Sequence, residues 1–293
     1  MTKAAIQLYT LRASDNTLPE IIHQVADAGF HGVEFAHRVR EEDPTDIRDA
    51  LRSRGVIPVA AHVQLSQLED RWDELSTLYD YLDCRQIVIP HLSAAHVHTT
   101  DRIEQLAERL SRVEKRLTAE GFELVIHNTR EMMLPQYNFV GIRQMLRAGL
   151  VPPVGWNHLS SIFAALKPID ETEIDTKTGF GKVMNHPSLN SLRIQFDTQH
   201  IASAGYDSPR VFDVFADRIH SIHIADTIRD RRFPVRYESV TPNEGIVDLP
   251  AAMDAGMNQG IEWMIYEHDH PDDNQAILQD AVRTMKPLLR AET

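Results

Sequence analysis

A chain of 293 residues, 42% hydrophobic and 25% charged, can bury a large core unaided, and its single Cys84 excludes an intrachain disulfide and points to a reducing compartment. The formal net charge of −13 argues against a nucleic-acid partner, because phosphate backbones are normally met by a basic face. No stretch approaches the roughly 20 apolar residues of a membrane-spanning helix, and Met1–Thr10 runs into a strand pattern instead of a secretion signal. The expectation is therefore a cytoplasmic protein without a membrane partner.

Short apolar runs alternate along the chain with longer amphipathic ones, the pattern of a parallel sheet with crossover helices. The predicted strand Ala4–Tyr9 precedes a helix at Pro19–Ala28, and Gly32–Phe35 precedes Ile47–Arg54. Pro58–Val63 leads to the helix Trp72–Leu82, Gln86–Ile89 to Arg102–Ala119, and Glu123–His127 to Ile142–Ala148. Leu192–Asp197 is followed by Val211–Ala216, Arg218–Ile224 by Leu249–Ala255, and Ile261–Glu267 by Asn274–Leu289. Eight strand–helix units are the number that closes a (β/α)8 TIM barrel, predicted here as one domain over residues 1–293. The connection from the fifth strand to the sixth is far longer than the others. Its surplus, residues 151–187, is predicted to be an inserted loop or lid, with Trp156 a candidate to cover the mouth.

Several predicted strands end in a polar residue directly after an apolar run. Glu34 ends Gly-Val-Glu-Phe, His62 ends Val-Ala-Ala-His, His91 follows Ile-Val-Ile-Pro, and His127-Asn128 follow Glu-Leu-Val-Ile. Asp197 ends Arg-Ile-Gln-Phe-Asp, His223 sits in Ser-Ile-His-Ile, and Glu267 ends Met-Ile-Tyr-Glu. The C-terminal ends of parallel barrel strands meet at one mouth, so these groups converge on one rim. Elsewhere their burial would be unfavourable. Carboxylates mixed with neutral imidazoles suit one divalent ion of the Mn, Co, Zn or Mg type. No Gly-rich phosphate loop and no Gly-x-Ser-x-Gly elbow is present, and Cys84 precedes the fourth strand at the end away from the rim.

The segments Ile6-Gln7-Leu8-Tyr9-Thr10-Leu11-Arg12, Gly32-Val33-Glu34-Phe35, Asp197-Thr198-Gln199-His200 and Arg218–Asp226 carry a family resemblance, with Glu244–Asp248 and Tyr266-Glu267 completing it. The chain resembles the xylose-isomerase-like barrels, the sugar phosphate isomerase/epimerase group, over nearly its whole length. That group includes ketose 3-epimerases, hydroxypyruvate isomerase, inosose dehydratase and, more remotely, endonuclease IV. The resemblance implies a metal held by a Glu on strand five, an Asp on six, a His on seven and a Glu on eight. The last three fall on Asp197, His223 and Glu267. The first is replaced by His127, so the fourth ligand is expected to be His127 or Glu131, unless the site keeps three protein ligands. His200 and Arg229 match positions that face substrate, and Glu34, His62 and His91 are the further candidates for substrate binding at the rim. Ala225 stands where many relatives carry Lys.

The leading expectation is a metal-dependent isomerase or epimerase of a ketose or keto-sugar, with Glu267 and His127 exchanging the proton. A metal-dependent lyase of the inosose-dehydratase or 3-keto-glycoside type is the alternative, because the strand-five Glu is missing and one base plus one acid suits β-elimination. An abasic-site endonuclease and a non-catalytic sugar-binding barrel complete the readings. The expected partner is a small sugar or polyol, and the resemblance implies a homo-oligomer.

Overall fold

The computed structural model describes residues 1–97, 99–134, 170–230, 236–269, 271 and 274–289. Eight parallel strands close into a barrel. They are β1 (Lys3–Gln7), β2 (Gly32–Phe35), β3 (Ile57–His62), β4 (Gln86–Ile89), β5 (Glu123–His127), β6 (Arg193–Asp197), β7 (Ile219–Ile224) and β10 (Trp263–Tyr266). Between β7 and β10, β8 (Asp226–Asp230) and β9 (Arg236–Val240) form a separate antiparallel ladder. The barrel closes where β1 meets β10, with Lys3 opposite Trp263 and Ile6 opposite Tyr266. The fold is thus the predicted (β/α)8 barrel, and among the described residues no helix is long and apolar enough to cross a membrane.

Both faces of each strand are buried, which is why the strands read as continuous apolar runs. Alternation still decides which face each residue takes. Ile87, Ile89, Leu124, Ile126, Met264 and Tyr266 pack outward against the helix layer, whereas Val88, Val125, Trp263 and Ile265 fill the barrel interior with Ala5, Val59 and Ala60. The same parity continues to the strand ends. His127 follows the inward Val125 by two residues and Glu267 follows the inward Ile265, while Phe196 and Ile222 point outward and leave Asp197 and His223 to point in. Gly32 belongs to this packing, since a Cβ there would come within 2.6 Å of Val59 Cγ2 and 2.8 Å of the Ile57 carbonyl.

The helices carry the expected end signals. Thr17 and Glu20 form a capping box before Leu18–Asp27, whose Leu18, Ile21, Ile22 and Val25 are buried. Asp43 caps Pro44–Arg54, which stops at Gly55 in a left-handed conformation (φ 58°). The long helix Thr100–Ala119 buries Ile103, Leu106, Leu110, Val113 and Leu117 on one stripe.

Four features depart from the sequence reading. β1 ends at Gln7, whose side-chain oxygen accepts the Tyr9 N–H at 3.1 Å and turns Leu8–Leu11 into a 3-10 helix. Short helices at Leu65–Asp70 and Thr198–Ala204 fill stretches for which none was predicted. The β8–β9 ladder was likewise not predicted. It is secured by Asp226, a fully buried carboxylate that accepts the N–H groups of Thr227, Asn243, Gly245 and Val247 at 2.8–3.1 Å. Finally, the end of the 151–187 segment is scaffold and not loop. Ile174–Lys177 and Gly179–Met184 are helical, and Ile174, Phe180, Val183 and Met184 are fully buried in the main core. Residues 151–169, with Trp156, and the helix predicted at Ile142–Ala148 lie outside the described residues.

Candidate active site

The inward parity of four strand ends brings His127, Asp197, His223 and Glu267 together, with one potential ligand atom from each lying within 4.8 Å of all the others. All four are buried. His223 Nδ1 lies 2.6 Å from Glu267 Oε2 and 3.9 Å from Asp197 Oδ2, and His127 Nε2 lies 3.8 Å from the same Asp197 oxygen. The other Asp197 oxygen, Oδ1, accepts the His200 N–H at 2.7 Å and caps the helix Thr198–Ala204. Asn128 Oδ1 accepts the Asp197 N–H at 2.8 Å, so the end of β6 is held from β5 as well.

Charge sets the protonation of these groups. Burial pushes the His127 imidazole down to about 4, which keeps it neutral near pH 7. Burial would raise the Asp197 carboxyl, but the His200, His127 and His223 rings beside it hold it below its ordinary range. Burial likewise works against a charged His223, but Glu267 and Glu34 on either side raise it well above the usual imidazole value. Glu267 is shifted upward by burial, against the pull of His223.

The residues fit a divalent ion. Both ring nitrogens of His127 are buried without a hydrogen-bond partner among the described residues, a rare state for a polar group unless another ligand completes it. A neutral imidazole, a second imidazole whose Nδ1 faces the cluster, and two carboxylates are the donor set of Zn, Co or Mn sites. Glu131, the other candidate for the fourth position, lies on the short helix Arg130–Met133 and is not part of the cluster.

Above the cluster opens a cavity of about 340 Å³, of a size for a small polyol. His127 and Glu267 form part of its wall together with His62, His200, Tyr9, Arg40, Gln64 and Asp269. Of the predicted substrate-facing residues, His62 and His200 reach this cavity. His91 does not. β4 ends at Ile89, Pro90 lines the cavity, and His91 is exposed beyond it. Arg229 lies on β8, is exposed and does not line this cavity. Glu34 points inward but lies beneath the mouth, fully buried, with both oxygens engaged by protein donors, so it is not a substrate contact. The sequence reading passed over Gln7 and Gln195, which bind Glu34, and Arg40, Tyr9 and Asp269 in the wall. Inward parity of a polar residue on a strand was the available signal for the two glutamines.

Fold and site together define a (β/α)8 barrel with a buried cluster of two histidines and two carboxylates at the C-terminal mouth that could hold a cation. No family model matches the chain. The chain is 20% identical over 257 residues to the inosose dehydratase of Geobacillus kaustophilus, a match covering 80% of this chain and 73% of that protein. It superposes on the probable 3-DHS dehydratase AsbF of Bacillus anthracis (TM-score 0.68, 13% identity, 97% of this chain and 99% of that one). Similar agreement is found with the IOLI protein solved with a zinc atom (0.65, 13%, 98% and 96%) and with the 3-keto-D-glucoside 4-epimerase YcjR of E. coli (0.63, 13%, 98% and 100%). At these identities the structural likeness establishes the fold, that of the xylose-isomerase-like and sugar phosphate isomerase/epimerase barrels.

Proposed function

We propose that this protein is a metal-dependent enzyme that removes the proton next to the ketone of a cyclic keto-polyol or keto-sugar, and that the product has lost water. The observation that carries the reading is the convergence of His127, Asp197, His223 and Glu267 at the floor of a polyol-sized cavity lined by two further histidines, His62 and His200. His127, Asp197, His223 and Glu267 would hold a divalent ion, which would supply Lewis-acid polarisation of the ketone.

The roles of the side chains follow from their surroundings. Asp197 is fixed as a helix cap, with its second oxygen facing His127, so it serves as a rigid ligand. His127, kept neutral by burial, serves as a ligand in place of the usual carboxylate and not as the proton carrier expected from the sequence. Glu267 is the carboxylate that combines a cluster position with an upward shift and a place in the cavity wall, and it acts as the base. His62 and His200, in the same wall, supply the proton to the departing hydroxyl. One carboxylate base opposite imidazole acids suits elimination better than a matched pair of carboxylates would. The dehydratase relative supports that outcome.

Epimerisation or isomerisation is the second reading, favoured by the same two histidines, since either could return the proton to the opposite face without breaking a C–O bond. The test is incubation with an inosose and a 3-keto-glucoside in D2O, with Zn, Mn or Co supplied, followed by NMR and mass spectrometry. Product lacking the elements of water supports the dehydratase. A deuterated isomer of unchanged composition supports the epimerase. Failure of any substrate to exchange its α-proton would reject both.

A further inference from the structure

Glu34 on β2 has no exposed surface, and four side-chain donors from four other strands converge on it. Its Oε1 lies 2.8 Å from His223 Nε2, 3.0 Å from His62 Nε2 and 2.5 Å from Gln7 Nε2, while its Oε2 accepts from Gln195 Nε2 at 2.5 Å. His223 is a cluster residue and His62 a cavity residue. A single carboxylate oxygen therefore touches one ring that faces the ion site and one that faces substrate. The ring stacking agrees, with centroids of His62 and His223 5.7 Å apart and planes only 19° from parallel.

We propose that Glu34 is a positioning residue that fixes both imidazoles at once. Resting on the metal-site reading above, the assignment gives His223 a proton on Nε2, directed to Glu34, and leaves Nδ1 as its ligand atom toward Asp197 and Glu267. His62 Nε2 faces two acceptors, Glu34 Oε1 at 3.0 Å and Gln195 Oε1 at 3.1 Å, both closer than the Gln7 amide nitrogen at 3.4 Å, and so carries a proton. The amides of Gln7 and Gln195 hold the carboxylate from β1 and β6, and Ser221 Oγ accepts from Gln195 Nε2 at 3.0 Å to fix that amide in turn. A carboxylate behind a metal-binding imidazole orients the ring and raises its basicity, and its loss typically weakens metal binding by about 10–100-fold. The shared oxygen extends that control to the substrate-facing histidine.

The test uses the whole protein, uniformly ¹⁵N-labelled, with ring nitrogens observed by long-range ¹⁵N–¹H spectra with and without zinc. Exchange-protected Nε2–H signals are expected for His62 and His223 in the wild type. In Glu34→Gln the His62 signal is expected to lose its protection and zinc affinity, measured by chelator competition, to fall about 10–100-fold, with circular dichroism unchanged. A Glu34→Gln protein that keeps both protected signals and wild-type zinc affinity overturns the proposal. So does a wild type in which His62 Nε2 carries no protected proton, a result that needs no variant to fold. If the wild type takes up no zinc, the metal-site reading fails by itself, and the metal-free His62 signal still decides whether Glu34 holds that ring.

Discussion

The Asp197 carboxylate caps its own helix through the His200 N–H at 2.7 Å while its second oxygen faces the His127 ring at 3.8 Å. The two duties can be separated by substitution. Asp197→Asn keeps an oxygen for the cap and loses the charge, so it should fold with little change in melting temperature yet lose bound metal. Asp197→Ala loses both and should cost about 1 kcal/mol of stability from the cap as well. Elemental analysis beside thermal melts reads the two effects, and metal retained in Asp197→Asn would remove it from the ligand set.

His127 makes the opposite prediction. Its buried nitrogens have no hydrogen-bond partner among the described residues, so the ring adds little through hydrogen bonds to the metal-free fold. His127→Leu should leave the melting temperature of the metal-free protein unchanged or higher. Zinc should raise that of the wild type, because a ligand bound only by the native state stabilises it, and should not raise that of the variant. An equal zinc shift in both would show that three protein ligands suffice.

Asp226 should matter to stability and not to metal. Asparagine cannot reproduce a carboxylate that accepts four backbone N–H groups, and Asp226→Asn should lose about 1–3 kcal/mol. Gly245→Ala should be comparably harmful, since its Cβ would sit 2.2 Å from Asp226 Oδ1. Denaturant titration measures both. Metal content per folded chain should remain that of the wild type.

His220, at the N-terminal end of β7, links stability to pH. Burial, joined by the nearby Arg193, lowers its pKa, while Glu123, Glu34 and Glu262 pull the other way without restoring it. The unfolded chain then binds a proton that the folded chain resists, so this group weakens the fold as pH drops below about 6.5. Above that value both states are neutral and the effect vanishes. His220→Gln should therefore lessen the loss of melting temperature between pH 7 and pH 5, and an unaltered pH slope would count against the assignment.

Cys84 is the quiet counterpart. It is buried, with its thiol shifted upward by that burial, and should not react with iodoacetamide until denaturant is added. Rapid labelling of the native protein would contradict its place in the core.

The strand ends were legible because barrel geometry converts a position in the sequence into a direction in space. Asp197, His223 and Glu267 each follow an apolar run by the interval that turns them inward. Depth was not legible. Glu34 shares that parity, yet only the structure shows that Gln7, His62 and Gln195 close over it. His91 falls outside the cavity lining because β4 ends at Ile89, and Arg229 because β8 pairs with β9 instead of the barrel strands. Helix starts such as Thr198 were missed where Asp197, a residue of the candidate metal cluster, is also the cap, two roles that one residue type cannot announce separately.

The pairing of β1 with β10 sets Lys3 beside Trp263, so the ring of strands is completed by partners about as far apart in sequence as the fold allows. A growing chain emerging from the ribosome holds a carboxylate on β2 whose histidine partner on β7 has yet to be made. Until both have emerged, Glu34 has no imidazolium of His223 to balance it, and an open sheet with two raw edges must await the last strand. The His127, Asp197, His223 and Glu267 cluster is thus assembled late and all at once, so any metal uptake by it would report complete closure of the barrel.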